Sequence, residues 1–291
     1  MIFYVIGNGF DLHYGLPTSY CHFKNYLIEN GKRDIVDKID NLFWERGDFN
    51  PEDIEKWSDF ENMLTVFNNL FADDLCDEAF DNAETDDDRA DFWDSPSWNV
   101  SYYNEYIKIL KQQFASWINE MNTEIIPDKY FTPQSNDVIL TFNYTTTIED
   151  NFDTSDINII HIHGTKNQEI ILGHNSEPDP DLFNIIEDEE SDYRDITTRK
   201  AVNSVITEAA ESYYKDNANI LKNYSNLFKN ISKFDKVVIL GLSCGEQDEL
   251  YVQEIIKHSK VIDFYWYDKT TMENFDNIVN NSNVKVNYFY W

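Results

Sequence analysis

The chain has 291 residues, 42% hydrophobic and 15% aromatic, enough to bury a large core as one domain with an insertion or as two domains. Its 54 acidic residues outweigh 23 basic ones to give a net charge of −31, a surface that repels nucleic-acid phosphates and argues against direct nucleic-acid binding. No apolar run reaches the roughly 18 residues of a membrane span, and the three cysteines, Cys21, Cys76 and Cys244, form neither a CxxC zinc pair nor a disulfide framework.

Ile2-Phe3-Tyr4-Val5-Ile6 is short, apolar and free of alternation, as in a strand buried on both faces. No basic region or small-residue cleavage site precedes it, so a cytoplasmic protein is expected. Gly7-Asn8-Gly9 ends the strand, and Phe10 and Asp11 follow. A strand, a glycine turn and a helix is how open α/β sheets bring backbone N–H groups to a pyrophosphate. Leu12 stands where the third glycine of GxGxxG would be, so the ordinary dinucleotide fingerprint fails and a tight turn without ligand stays open. Asp11 reads as a brace for the turn, or as an acceptor for a ribose hydroxyl, because a bare carboxylate beside a pyrophosphate is costly.

From Thr18 the apolar spacing becomes helical, with Tyr20, Phe23, Tyr26 and Leu27 on one stripe. Ile35, Ile39, Leu42 and Phe43 form a second stripe. Pro51 opens a third, running from Trp57 through Phe60, Met63, Leu64 and Phe67 to Leu70. Asp59 and Glu61 lie within it, two residues apart and so on different sides of a helix. Residues 77–99 read as an exposed loop around Asp86-Asp87-Asp88. Helical spacing returns from Tyr102 to Trp117. Residues 31–134 are therefore expected to be a mostly α-helical insertion in an α/β domain made of residues 1–30 and 135–291.

Val138-Ile139-Leu140-Thr141-Phe142 reads as the second strand and ends in Asn143-Tyr144-Thr145. Ile157–Ile162 reads as the third and ends in His163-Gly164. Ile170-Ile171-Leu172-Gly173-His174 is one more apolar run stopping at polar residues. Residues 177–195 are an acidic excursion, and 199–231 are helical. Val237–Leu240 is a strand leading into Gly241-Leu242-Ser243-Cys244-Gly245, and Val261–Trp266 and Val284–Phe289 close the sheet. Gly7/Gly9, Asn143, His163 and Gly241/Ser243 all follow sheet-like segments. In a parallel sheet such positions converge on one crevice outside the carboxyl ends of the strands.

Each has a plainer reading. Asn143 can cap the helix that follows it. His161 and His163 are expected to face opposite sides of the strand end; His163 is taken as the functional one, with His174 as a second candidate. The histidines lack compact metal-ligand spacing, and no metal is expected. Gly241-Leu242-Ser243-Cys244-Gly245 matches the esterase G-x-S-x-G letter for letter, but without independent support for a Ser–Asp–His order.

The stretch GNGFDLHYGLPTSY resembles the AbiH family of phage abortive-infection proteins, as do Trp57-x-Asp59-x-Glu61 and the G-x-S turn at Gly241. The spacing of its two glycine clusters, the T-x-N of Thr141-Phe142-Asn143 and the His163-Gly164 pair resemble sirtuins. This resemblance implies a sirtuin-like Rossmann-type parallel sheet with helices on both faces. It also implies NAD as substrate or ligand. Gly7, Asn8, Gly9, Phe10, Asp11 and Ser243 would bind the nucleotide. Asn143 would position ribose or water, and His163 would be the general base of a NAD glycohydrolase. The function implied is an antiphage effector that depletes NAD, triggered by a phage protein or through homo-oligomerisation. A nucleotide-sensing or protein-interaction module without catalysis is the alternative. Thr18-Ser19-Tyr20 in place of the sirtuin DFR, and Thr145 in place of the Asp of TQNID, depart from the pattern. Three cysteines cannot supply the sirtuin zinc site, which disfavours deacylation.

Overall fold

The structure is a computed structural model that describes residues 1–46, 51–57, 60–64, 95–166, 168–176, 211–280 and 282–291. Its chain divides into two compact units, Met1–His22 with Ala115–Ile171 and Asp216–Trp291, and Phe23–Phe114 with Leu172–Lys215.

The first unit is built on a six-stranded sheet in the order β3-β2-β1-β4-β5-β6, every pair parallel. The strands are β1 (Ile2–Ile6), β2 (Val138–Thr141), β3 (Asn158–His161), β4 (Lys236–Leu240), β5 (Val261–Trp266) and β6 (Lys285–Tyr290). This is the doubly wound order, with its topological switch between β1 and β4. The expected Rossmann-type parallel sheet is therefore present.

Both faces of β1 are buried, which is why its sequence shows no alternation. Phe3 and Val5 join Leu140, Val237, Ile239 and Phe264 in one core. Helices α8 (Asn217–Asn223), α9 (Ser225–Asn230), α10 (Glu249–His258) and α11 (Lys269–Val279) cover that face, through side chains such as Ile220, Phe228, Val252, Ile255 and Phe275. Tyr4 and Ile6 point the other way, into a core with Ile139, Val238 and Leu240. There the cover is α1 (Gly9–His13), the segment carrying Phe131, and α7 (Thr147–Asn151), which contributes Ile148. Phe10 is fully buried, edge-on to Tyr14 and Phe131 with ring centroids 5.1 Å apart in both cases.

The second unit contains α3 (Arg33–Arg46), α4 (Pro51–Lys56) and α5 (Phe60–Met63), together with most of α2 (Tyr20–Glu29) and α6 (Ser95–Glu120). Phe23, Trp57, Phe60 and Phe114 form its aromatic core, with Trp57 stacked on Phe60 at 5.0 Å. The long stripe expected from Pro51 is not one helix. Trp57 adopts φ 50°, breaks the run between α4 and α5, and sends its indole N–H to Asp40 Oδ1 at 2.7 Å. Asp59, Phe67, Leu70 and the acidic stretches 77–94 and 177–195 lie outside the described residues. α6 begins at Ser95, inside the stretch read as loop.

Ile170–His174 is not a strand. Gly173 has φ 155°, and a Cβ there would stand 1.7 Å from Tyr213 O. His174 forms only an isolated bridge with Tyr214. Among the described residues no helix is long and apolar enough to cross a membrane.

Candidate functional site at the carboxyl ends of β1, β2 and β3

The glycine turn after β1 is shaped first of all by the protein's own backbone. Gly7 N–H donates to Leu240 O at 3.0 Å and Gly9 N–H to Gly241 O at 2.8 Å. A Cβ on Gly7 would come within 2.6 Å of Gly241 O, and one on Gly9 within 2.8 Å of Gly241 Cα. The three glycines thus let β1 and β4 leave the sheet in contact at the switch point. Asn8 side-chain N–H donates to Thr18 O at 3.0 Å, tying the turn to the Leu16-Pro17-Thr18 segment.

Asp11 is fully buried one turn further on. Its Oδ2 accepts from Thr145 Oγ at 2.6 Å, and Thr147 Oγ donates to that hydroxyl at 3.1 Å. Its Oδ1 is buried and meets no donor among the described residues. Burial pushes the Asp11 carboxyl up to about 6, against the opposing pull of Thr145, Thr147, Asn143 and the nearby His161. Asn143 follows β2. Its backbone N–H donates to Thr141 Oγ at 3.1 Å, and its side-chain Oδ1 is buried without a donor among the described residues. It does not cap α7: the N-cap there is Thr146, and no side chain makes the capping bond.

His161 is the last residue of β3, and the structure gathers it with Asp11 and Asn143. Its Nδ1 lies 2.9 Å from Asn143 O and its Nε2 2.7 Å from Glu149 Oε1. Both partners are acceptors, so both ring nitrogens carry protons and the ring is a cation in this arrangement. Burial alone would lower its pKa, but Glu149, the Asn143 carbonyl and Asp11 together raise it. The ring holds the Asn143 backbone in place and offsets the Asp11 charge.

On a continuing strand His161 and His163, two residues apart, would share a face, but β3 ends at His161 and the turn after it puts His163 on the other side of the strand end. It is buried, edge-on to Phe142 and Tyr251, and its Nε2 lies 3.4 Å from Tyr251 Oη. Tyr251 donates its own proton to Asn217 Oδ1 at 2.8 Å, so toward His163 it can only accept. Nε2 therefore carries the proton, and Nδ1 is the basic nitrogen. Sequence reasoning took His163 as the partner of Asn143, whereas the structure sets His161 beside the Asn143–Asp11 pair. The missed signal was Glu149 on α7, six residues after Asn143, which pairs with His161.

Ser243 is exposed after β4. Its hydroxyl donates to Asp248 Oδ2 at 3.3 Å, so a carboxylate and not an imidazole sits where an esterase would need its base. His174 belongs to the second unit, buried with Nδ1 3.0 Å from Ser176 O. In that unit Glu61, the one described carboxylate of the Trp57-x-Asp59-x-Glu61 pattern, pairs with buried Lys215 at 2.6 Å. Among the described residues no group of three or more His, Cys, Asp or Glu side chains could hold a metal ion.

Asp11 carries a measurable consequence. Burial pushes its carboxyl up to about 6, above the ordinary aspartate value of 3.8, so the native state holds this proton more tightly than the unfolded chain. The stability this gives is present below the unfolded value and lost as pH rises through about 6. Beyond that the carboxylate costs about 3 kcal/mol. His161, raised as well, acts with the same sign: its contribution is full below its unfolded pKa and lost above its folded one. Asp11→Asn is therefore expected to unfold at a higher temperature than wild type at pH 7.5, with the gap closing toward pH 4. Denaturation midpoints at several pH values check this, and a gap independent of pH would contradict it.

A family model described as Bacteriophage abortive infection AbiH matches residues 3–267. No curated protein and no solved structure matches the chain.

Proposed function

The chain belongs to the bacteriophage abortive infection AbiH family, and we propose that it works there as a NAD glycohydrolase whose site is the Asp11–Asn143 cluster at the carboxyl ends of β1 and β2. The observation that carries this reading is the pair of buried acceptor oxygens, Asp11 Oδ1 and Asn143 Oδ1, with no donor among the described residues. Unmatched acceptors call for hydroxyl donors, and the vicinal hydroxyls of a ribose supply them at a switch point where open α/β sheets bind nucleotides.

The reaction is simple in its accounting. The bond between ribose C1′ and the pyridinium nitrogen breaks, and its electron pair leaves with nicotinamide. The sugar passes through an oxocarbenium-like state, and water adds to C1′ and gives up a proton. Asn143 would hold a ribose hydroxyl. Asp11, ionised above pH of about 6, would lie where its charge favours the developing cation. His163, through Nδ1, would take the proton from water. Gly7, Asn8, Gly9, Phe10 and Ser243 would line the ADP side. Depletion of NAD on infection would arrest the host, and the activity would have to stay silent until then, with a phage protein or homo-oligomerisation as trigger.

A second reading has its own observation. The N–H groups of Gly7 and Gly9 are already engaged by Leu240 and Gly241 carbonyls, which leaves less of the turn for a pyrophosphate. That favours a nucleotide sensor without turnover. One experiment separates the two: the purified chain is titrated with NAD and ADP-ribose by calorimetry while nicotinamide release is followed. Release supports the hydrolase. Binding without release, including in protein recovered from phage-arrested cells, supports the sensor. Neither binding nor release would remove both.

A further inference from the structure

We infer that the open edge of β6 is a self-association surface, on which a second copy of this chain adds its own β6 in antiparallel register. Parallel sheets are ordinarily covered on both faces, yet Tyr288, Phe289 and Tyr290 are 42%, 41% and 69% exposed. They are the outer members of an aromatic ladder. Phe264, Tyr265 and Trp266 on β5 are in register with them. Tyr265 stacks on Phe289 at 4.8 Å, and Trp266 meets Tyr290 edge-on at the same distance. Such a ladder on an edge that no described strand pairs with is what soluble proteins avoid with charges, prolines or bulges.

The main chain points to a strand as occupant. Lys285 N–H donates to Lys260 O and Trp291 N–H to Trp266 O, so odd-numbered residues of β6 face β5. By alternation Val286, Tyr288 and Tyr290 present their N–H and C=O groups outward. An isologous two-fold at Tyr288 would pair Val286 with Tyr290 on each side, forming about six main-chain hydrogen bonds. It would also bring Lys285, the one charged side chain of β6, opposite Trp291 of the other copy, a cation–π pairing.

Charge selects the second copy over other acidic or basic partners. A chain at −31 repels itself almost everywhere, but no Asp or Glu occurs after Asp276. The carboxylates nearest the edge are engaged: Asp263 binds Lys236 Nζ at 2.5 Å and Asn287 Nδ2 at 2.7 Å, and Asp276 accepts from Tyr288 Oη at 2.6 Å. The edge thus brings no acidic side chain of its own strand against the other copy. The three exposed rings offer roughly 300 Å² per copy at 150–250 Å² for a whole aromatic side chain, and with the paired backbones the total approaches the low end of specific interfaces, about 1,200 Å².

The test uses the full chain in sedimentation velocity. Wild type is expected to be a dimer at about 10 μM, tightening as salt rises toward about 0.5 M and screens the net charge. Tyr290→Pro removes an outward N–H and no main-chain bond to β5, with loss of the ring contact to Trp266, and Tyr290→Lys loses the same ring contact and adds a charge to the edge. Each should weaken the dimer at least about tenfold, which is 1.4 kcal/mol, with unchanged circular dichroism and melting temperature. If the proline variant misfolds, the lysine variant decides. A wild-type monomer at about 100 μM in high salt, a dimer indifferent to both substitutions, or open-ended growth beyond the dimer would each overturn the proposal.

Discussion

Nicotinamide release from NAD by Asn143→Ala is expected to fall ~10²–10⁴-fold, the range for loss of a group that acts in the transition state, while the melting temperature stays close to wild type. The two halves of this expectation come from the same atom. Asn143 Oδ1 is buried and has no donor among the described residues, so truncation relieves an unmatched acceptor while it removes the amide's pull on the Asp11 carboxyl. What the fold loses is the amide's help in holding the Asp11 charge, and the net effect on stability should stay within about 1 kcal/mol. A residue placed for structure would show the reverse, lost stability and retained turnover. His161→Gln and His163→Ala extend the test. His161 positions the Asn143 backbone through its Nδ1–H bond, so its loss should lower the rate without changing which group titrates. His163→Ala should instead alter the acid limb of the pH–rate profile, the limb that a general base controls. Full activity in Asn143→Ala, beside an active wild type, would take Asn143 out of the site. An inactive wild type would take NAD hydrolysis out of the proposal altogether.

The sheet was legible because β1, β2 and β4 are short apolar runs without alternation, the signature of burial on both faces, and because the first four strands lead into Gly7, Asn143, His163 and Gly241. The carboxyl-end position of Asn143 followed from that. The choice between His161 and His163 did not, since it depends on β3 ending at His161 and on the turn that carries His163 to the other side. Deciding which one meets Asn143 needed the fold-back of α7, which carries Glu149 to His161. Thr145, at the place where the sirtuin pattern has Asp, read as a lost carboxylate. In the structure its hydroxyl donates to Asp11 at 2.6 Å, so a carboxylate is present at that spot but comes from β1's side of the switch point. No local pattern could announce a contact between residues 134 apart in sequence. The breaks at Trp57 and Gly173 were invisible for another reason. Both sit inside apolar runs of good periodicity, and what ends the element is a positive φ fixed by tertiary contacts, Asp40 for the indole of Trp57 and Tyr213 for the backbone of Gly173.

The switch point itself predicts a large loss of stability from a single methyl group. Gly241 has φ +67°, and a Cβ there would lie 2.1 Å from the backbone nitrogen of Phe10 and 2.5 Å from the carbonyl carbon of Gly9. Neither is the end of a flexible side chain. The only relief is to part β4 from β1, which would break the Gly9 N–H bond to Gly241 O and disturb the fully buried Phe10. Gly15 and Gly245 separate the causes. Gly15 has φ +78° with nothing within 4 Å of an added Cβ, so Gly15→Ala tests the backbone conformation alone, about 1–2 kcal/mol. Gly245 has no positive φ, and its nearest neighbour is Ser243 Oγ at 3.9 Å, so Gly245→Ala should cost less than about 1 kcal/mol or even stabilise. Gly241→Ala carries the same left-handed penalty as Gly15→Ala, plus the enforced separation of two central strands. It should cost at least about 4 kcal/mol, near the upper end for point substitutions, or fail to fold. Denaturant midpoints of the three alanine variants in the full chain give the order directly. If Gly241→Ala were no worse than Gly15→Ala, β1 and β4 would have room to part. The turn that holds Asp11 in place would then owe its shape to something other than this contact.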